Sequence, residues 1–124
     1  LNDGELDGAR ILSSQTMAEL ARVQTGKVRA GALKTSAPHL TNDFDLFPGM
    51  HTGWGLATLI NPEPGPAGRS AGSLAWAGLF NTHFWADPAK GVGGLLLTQV
   101  APFGDAAVVD LFTALEAQAY GQTN

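Results

Sequence analysis

Gly72-Ser73-Leu74-Ala75-Trp76-Ala77-Gly78-Leu79-Phe80-Asn81-Thr82-His83-Phe84-Trp85-Ala86-Asp87-Pro88-Ala89-Lys90-Gly91-Val92 is the stretch on which the fold turns. Residues 73–86 read as one extended run. Leu74, Trp76, Gly78, Phe80, Thr82 and Phe84 share one face, and Ala75, Ala77, Leu79, Asn81, His83 and Trp85 share the other. Asp87 to Gly91 is a hairpin signal: Asp caps the turn, Pro presets φ, and Gly supplies the left-handed position before the return strand. The return strand, Val92 to Val100, is apolar on both faces through Leu95-Leu96-Leu97, the pattern of an interior strand.

Working outward, Asp105 is placed to cap a final helix. Val108, Leu111, Phe112, Leu115 and Ala119 form one stripe on it, and Gly121 is placed to stop it. Upstream, Trp54 to Ile60 reads as a strand ended by Asn61-Pro62, and Glu63-Pro64-Gly65-Pro66-Ala67-Gly68 as a turn-rich linker. Val28 to Gly49 lacks any sustained period and reads as a long surface loop, either functional or simply irregular. Ser13 or Ser14 caps a short helix over 14–24, with Met17, Leu20 and Ala21 on one face and Gly26 beyond it. Residues 1–12 read as loop. The expectation is an α+β domain over 1–124, a three-stranded antiparallel sheet flanked by helices. Its core is thin, and the apolar faces of 74–84 and 92–100 want more sheet, or another layer, than the chain supplies.

Composition narrows the function. The chain has 124 residues, a formal charge of −4 and only 15% charged side chains, against 44% apolar. A disordered acidic tail would show the reverse balance. Seven scattered bases give no cationic face for phosphates, which argues against nucleic acid. No apolar run approaches the roughly 18 residues of a membrane span. Without cysteine, disulfides, thiolate chemistry and Cys-type zinc sites are excluded, while the compartment stays open. Sixteen glycines imply many turns or close backbone approaches. The chain opens on Leu1-Asn2-Asp3-Gly4 rather than Met, as a processed product or a piece of a longer protein would.

The chemistry-bearing residues are few. His39, His51 and His83 lack the close spacing that brings two imidazoles onto one metal ion, so neither a metal nor a cofactor is expected. Gly91-Val92-Gly93-Gly94 opens a strand and lacks the lysine of a phosphate loop. No Gly-x-Ser-x-Gly occurs. Three residues before Lys27, Lys34 and Lys90 stand Gln24, Gly31 and Asp87, so Ser-x-x-Lys is absent too. A serine here would lack the adjacent base that makes it a nucleophile. Tyr120, the lone tyrosine, reads as a packing residue at a helix end. Small residues in the strand Gly72 to Thr82 suggest that something approaches its backbone closely, either a ligand or a tightly packed helix.

Leu1-Asn2-Asp3-Gly4-Glu5-Leu6-Asp7-Gly8-Ala9-Arg10-Ile11-Leu12-Ser13, then Gly53-Trp54-Gly55-Leu56, then Gly72 to Pro88 and Leu95-Leu96-Leu97-Thr98-Gln99 form an ordered series. It resembles the C-terminal part of the serine β-lactamase-like hydrolases, which include class C β-lactamases, penicillin-binding proteins and family VIII esterases. The resemblance implies an antiparallel sheet flanked by helices, with a nucleophilic Ser-x-x-Lys in a preceding part of the enzyme. It implies that Trp76-Ala77-Gly78 stands where other members carry Lys-Thr-Gly and lines the acyl pocket. By the same resemblance, the N–H of Leu79 is one oxyanion-hole donor. His51-Thr52-Gly53 is a second candidate for that motif. Order along the chain favours Trp76, because one hairpin partner and the terminal helix should follow the motif. The missing lysine favours small ester or acyl substrates over carboxylate-bearing β-lactams. The implied partner is the N-terminal portion of the same hydrolase, without which the chain is expected to be inactive. A sheet-contributing assembly subunit without catalysis is the rival reading, and a complete small ligand-binding domain a weaker third.

Overall fold

The computed structural model describes residues 1–121. Its elements are β1 (Glu5–Leu6), β2 (Ala9–Arg10), α1 (Ser14–Leu20), β3 (Gly53–Trp54), β4 (Leu59–Asn61), β5 (Ser73–Ala77), β6 (His83–Asp87), β7 (Val92–Leu96) and α2 (Ala106–Gly121). The architecture is α+β, as expected. β1 and β2 form a separate two-stranded ribbon. The other five strands form one antiparallel meander in the order β3-β4-β5-β6-β7.

Two extended runs fold back on themselves, so the sheet has five strands rather than three. Trp54 to Ile60 is a hairpin: Gly55 N–H donates to Thr58 O at 2.9 Å, and β3 pairs with β4. A Cβ on Gly55 would lie 2.4 Å from the Leu20 carbonyl oxygen, so glycine is required where the helix end presses on the turn. Residues 73–86 also form a hairpin. Gly78 N–H donates to Thr82 O, and Asn81 turns the chain at φ 60°. The assignment of faces survives this folding because the register pairs even with even and odd with odd: Trp76 opposes Phe84, and Ala75 opposes Trp85.

The Asp87 to Gly91 hairpin forms as the sequence predicts. Asp87 Oδ1 accepts from Lys90 N–H, and Gly91 sits at φ 66°. The return strand is not interior among the described residues. β7 pairs only with β6, and Leu95 and Leu97 are 56% and 70% exposed. Residues 1–12 are not all loop either, since Asp7 and Gly8, at φ 50° and 79°, close the β1-β2 turn. Ser13 caps α1 by accepting from Thr16 N–H. That helix ends at Leu20 rather than 24, because the chain leaves it so that Gln24 N–H can bond Trp54 O.

Asp105 caps α2, accepting from Val108 N–H at 3.1 Å. The buried stripe of α2 is Val108, Phe112, Glu116 and Tyr120; Leu111 and Leu115, expected on it, are exposed. Gly121 is the last helical residue rather than the stop. Phe112 meets Trp85 edge to face, and with Ala75 and Tyr120 they form the core between helix and sheet. Burying a side chain such as Phe112 contributes roughly 1.5–3 kcal/mol. Glu116 enters the apolar stripe because Arg69, fully buried, holds it through two hydrogen bonds and stacks over Phe47. A buried carboxylate persists only with such a partner.

Candidate active-site wall

Trp76 and Ala77 end β5, and Gly78, Leu79 and Phe80 form the turn that follows. Gly78 N–H is committed to Thr82 O at 2.7 Å, and Asn81 N–H to Gly78 O at 2.9 Å. Leu79 N–H has no acceptor among the described residues, and its side chain is 46% exposed. The turn is held from behind by Asn81, which is completely buried. Its amide donates to Val100 O and Pro102 O, while its oxygen accepts from Gly104 N–H and Asp105 N–H. A backbone N–H left without an internal acceptor at a fixed turn can stabilise a developing oxyanion. Among the described residues, a Cβ on Gly78 would meet only Thr82, at 3.8 Å or beyond.

Trp76 meets Trp54 edge to face, with ring centroids 4.4 Å apart. Both indoles line a cavity of about 360 Å³, with Leu59 beneath and the long segment after α1 as the opposite wall. That segment is irregular in trace, as the sequence predicts, yet it is tied down. Ala30 bridges to Thr52, Leu33 to Phe44 and Thr41 to Phe103, and the Phe44 and Phe103 rings lie 4.7 Å apart. Sequence reading missed this wall, because single bridges between distant residues leave no periodic signal.

His51-Thr52-Gly53 leads into β3, an edge strand two places from the central β5 that carries Trp76. Thr52 O–H donates to Ala30 O at 3.0 Å, and a Cβ on Gly53 would lie 2.7 Å from Val23, so both residues hold the long segment in place. Thr52 shares the cavity wall with Trp76, while His51 and Gly53 line a neighbouring one.

Tyr120, Asp87 and His83 are buried titratable groups near α2. Trp85 Nε1–H donates to Tyr120 Oη, and Tyr120 O–H donates to Asp87 Oδ2 at 3.0 Å. Burial, with the Asp87 carboxylate beside it, pushes the Tyr120 phenol up to about 12. Burial pushes the Asp87 carboxyl up too, but hydrogen bonds from Ser70, Tyr120 and Lys90 outweigh it and hold it below its ordinary value. His83 is fully buried among Phe44, Phe103 and Phe112, neither ring nitrogen has a hydrogen-bond partner among the described residues, and burial lowers its pKa. Among the described residues no three metal-ligating side chains converge, and no helix is long and apolar enough to cross a membrane.

Comparison with known proteins agrees with the fold. Unliganded simvastatin synthase (LovD) from Aspergillus terreus matches with a TM-score of 0.69 and 25% identity, over 90% of this chain and 30% of that one. Its LovD9 mutant matches at 0.59 and 29% identity, over 62% of this chain and 20% of that one. The chain thus spans less than a third of either structure. No match is found among curated proteins. The sequence fits the Beta-lactamase family over residues 4–119. With that match covering nearly its whole length, on the antiparallel α+β fold described above, the chain belongs to the Beta-lactamase family.

Proposed function

We propose that this chain is the C-terminal part of an esterase-like serine hydrolase that works through an acyl-enzyme. In this reading Trp76, Ala77 and Gly78 form the acyl-pocket wall, and Leu79 N–H is one of two oxyanion donors. The attacking serine, in a Ser-x-x-Lys, lies in an N-terminal portion that docks on this one, and the substrate is a small ester or acyl compound. The observation that carries the reading is the Leu79 N–H, which has no acceptor among the described residues, on a half-exposed residue of a turn fixed by Asn81. The absence of Ser-x-x-Lys from the 124 residues supports placing the nucleophile elsewhere.

The purified chain alone is expected to leave p-nitrophenyl acetate unhydrolysed, and the chain together with its N-terminal portion to turn it over. Enzyme-like turnover by the chain alone, abolished by a serine-directed phosphonate, would contradict the proposal.

The open edge of β7 with exposed Leu95 and Leu97 favours one alternative, a non-catalytic subunit that adds sheet to a partner. Native mass spectrometry separates the two. A companion polypeptide bearing Ser-x-x-Lys supports the hydrolase, and a homo-oligomer without one supports the alternative.

A further inference from the structure

Asn81 stands where the hairpin between β5 and β6 needs a left-handed residue, at φ 60° directly after Leu79 and Phe80. Glycine meets that need without strain, so the backbone alone does not call for asparagine. What asparagine adds is an amide, and here it is completely buried. The amide donates to Val100 O and Pro102 O at 2.9 and 2.8 Å, and accepts from Gly104 N–H and Asp105 N–H at 2.8 and 3.2 Å. All four partners lie in residues 97–105, the strap that carries the chain from β7 to α2. The strap grips the turn a second time at Phe80 O, which accepts from the Thr98 hydroxyl and from Val100 N–H. Its own place is fixed elsewhere. Phe103 N–H donates to Leu40 O at 2.9 Å, Asn42 N–H donates to Phe103 O at 2.7 Å, and Asp105 caps α2. The two residues after Leu79 are therefore fastened to a frame built by the long segment and α2.

We propose that Asn81 is a positioning residue for the reaction: through the strap it holds Leu79 N–H where the oxyanion of the reacting acyl group forms. The inference rests on the reading of Leu79 as an oxyanion donor. A donor serves a developing charge only when it is held within about 0.5 Å of its productive place. Acylation and deacylation both pass through a tetrahedral oxyanion, so a misplaced donor slows both, and kcat falls while KM holds. A merely structural Asn81 would lower stability and leave kcat per folded molecule unchanged.

The test uses the chain assembled with the polypeptide that carries the serine, on p-nitrophenyl acetate, at a temperature where circular dichroism shows each variant folded. Asn81→Gly keeps the left-handed backbone and deletes the amide. It is expected to lower kcat roughly 10–100-fold, with KM within about twofold of wild type. In a Leu79→Pro background the same substitution is expected to cost no more than about twofold, because the donor it positions is already gone. If Asn81→Gly does not fold, Thr98→Val takes its place: it removes one grip on Phe80 O, and a kcat loss of about threefold or more is expected. A folded Asn81→Gly with wild-type kcat overturns the inference while the Leu79 reading stands, as does a loss of equal size with and without the Leu79 N–H, or an unchanged kcat in Thr98→Val where that variant is the one measured. If instead folded Leu79→Pro is as fast as wild type, or the assembled enzyme leaves the ester intact, the Leu79 reading fails and the inference falls with it.

Discussion

Asn81 does two separable things at once. It adopts φ 60°, a conformation costly for most side chains, and it satisfies two carbonyls and two N–H groups from residues 100–105. Asn81→Ala is expected to lower unfolding free energy by about 3–5 kcal/mol, measured in urea, because it adds left-handed strain and orphans buried polar groups. Asn81→Gly removes only the strain and should recover about 1 kcal/mol of that loss. His83 acts through pH. Buried among three phenylalanines with no hydrogen-bond partner among the described residues, it stays neutral when folded, and its pKa lies below the ordinary 6.5. The unfolded chain therefore binds the proton first. The contribution of His83 is intact above about pH 6.5 and is lost as pH falls toward the lowered folded value. His83→Phe should flatten that part of a stability–pH profile. Asp87, also lowered, loses its contribution as pH falls below its ordinary 3.8. A wild-type profile that is flat between pH 7 and 5 would contradict the assignment to His83.

At the scale of elements, the hairpin joining β6 and β7 depends on a glycine facing an indole. Gly94 opposes Trp85, and a Cβ there would lie 2.1 Å from Trp85 Cη2. Gly94→Ala is expected to destabilise by about 1–3 kcal/mol and to disturb the Trp85–Tyr120 hydrogen bond, read as a change in near-ultraviolet circular dichroism. Gly93→Ala meets its nearest neighbour at 3.1 Å and should cost less. This hairpin was legible because its signals are local: Asp87, Pro88 and Gly91 fix the turn, and α2 announces itself by the Asp105 cap. The turns at 55–58 and 78–82 were not, since each is held by distant partners, Leu20 in one case and residues 100–105 in the other. Apolar residues run through both, so alternation carried the strand reading across them. The buried stripe of α2 was misjudged at Glu116 for a related reason. A charge inside an apolar stripe signals a buried partner, but nothing local marks Arg69 as that partner.

For the molecule as a whole, α2 covers one face of the sheet, while β7 ends it with an open edge and exposed leucines. The expectation that its apolar surface wants a further layer fits this arrangement, and it fits a chain spanning less than a third of the structures it resembles. The family was legible in the ordered series of motifs that includes Trp76-Ala77-Gly78. The cavity wall opposite was not, because it is assembled from single bridges across an irregular segment. The central claim is that Leu79 lends a backbone donor to a serine held elsewhere. Its most direct measurement is kcat on p-nitrophenyl acetate for the assembled enzyme with Leu79→Pro, which deletes the N–H, beside Leu79→Ala, which keeps it. The account predicts a loss of roughly 10²–10³ for Leu79→Pro and near-normal turnover for Leu79→Ala. A folded Leu79→Pro enzyme as fast as wild type, or an equal loss in both variants, would contradict it.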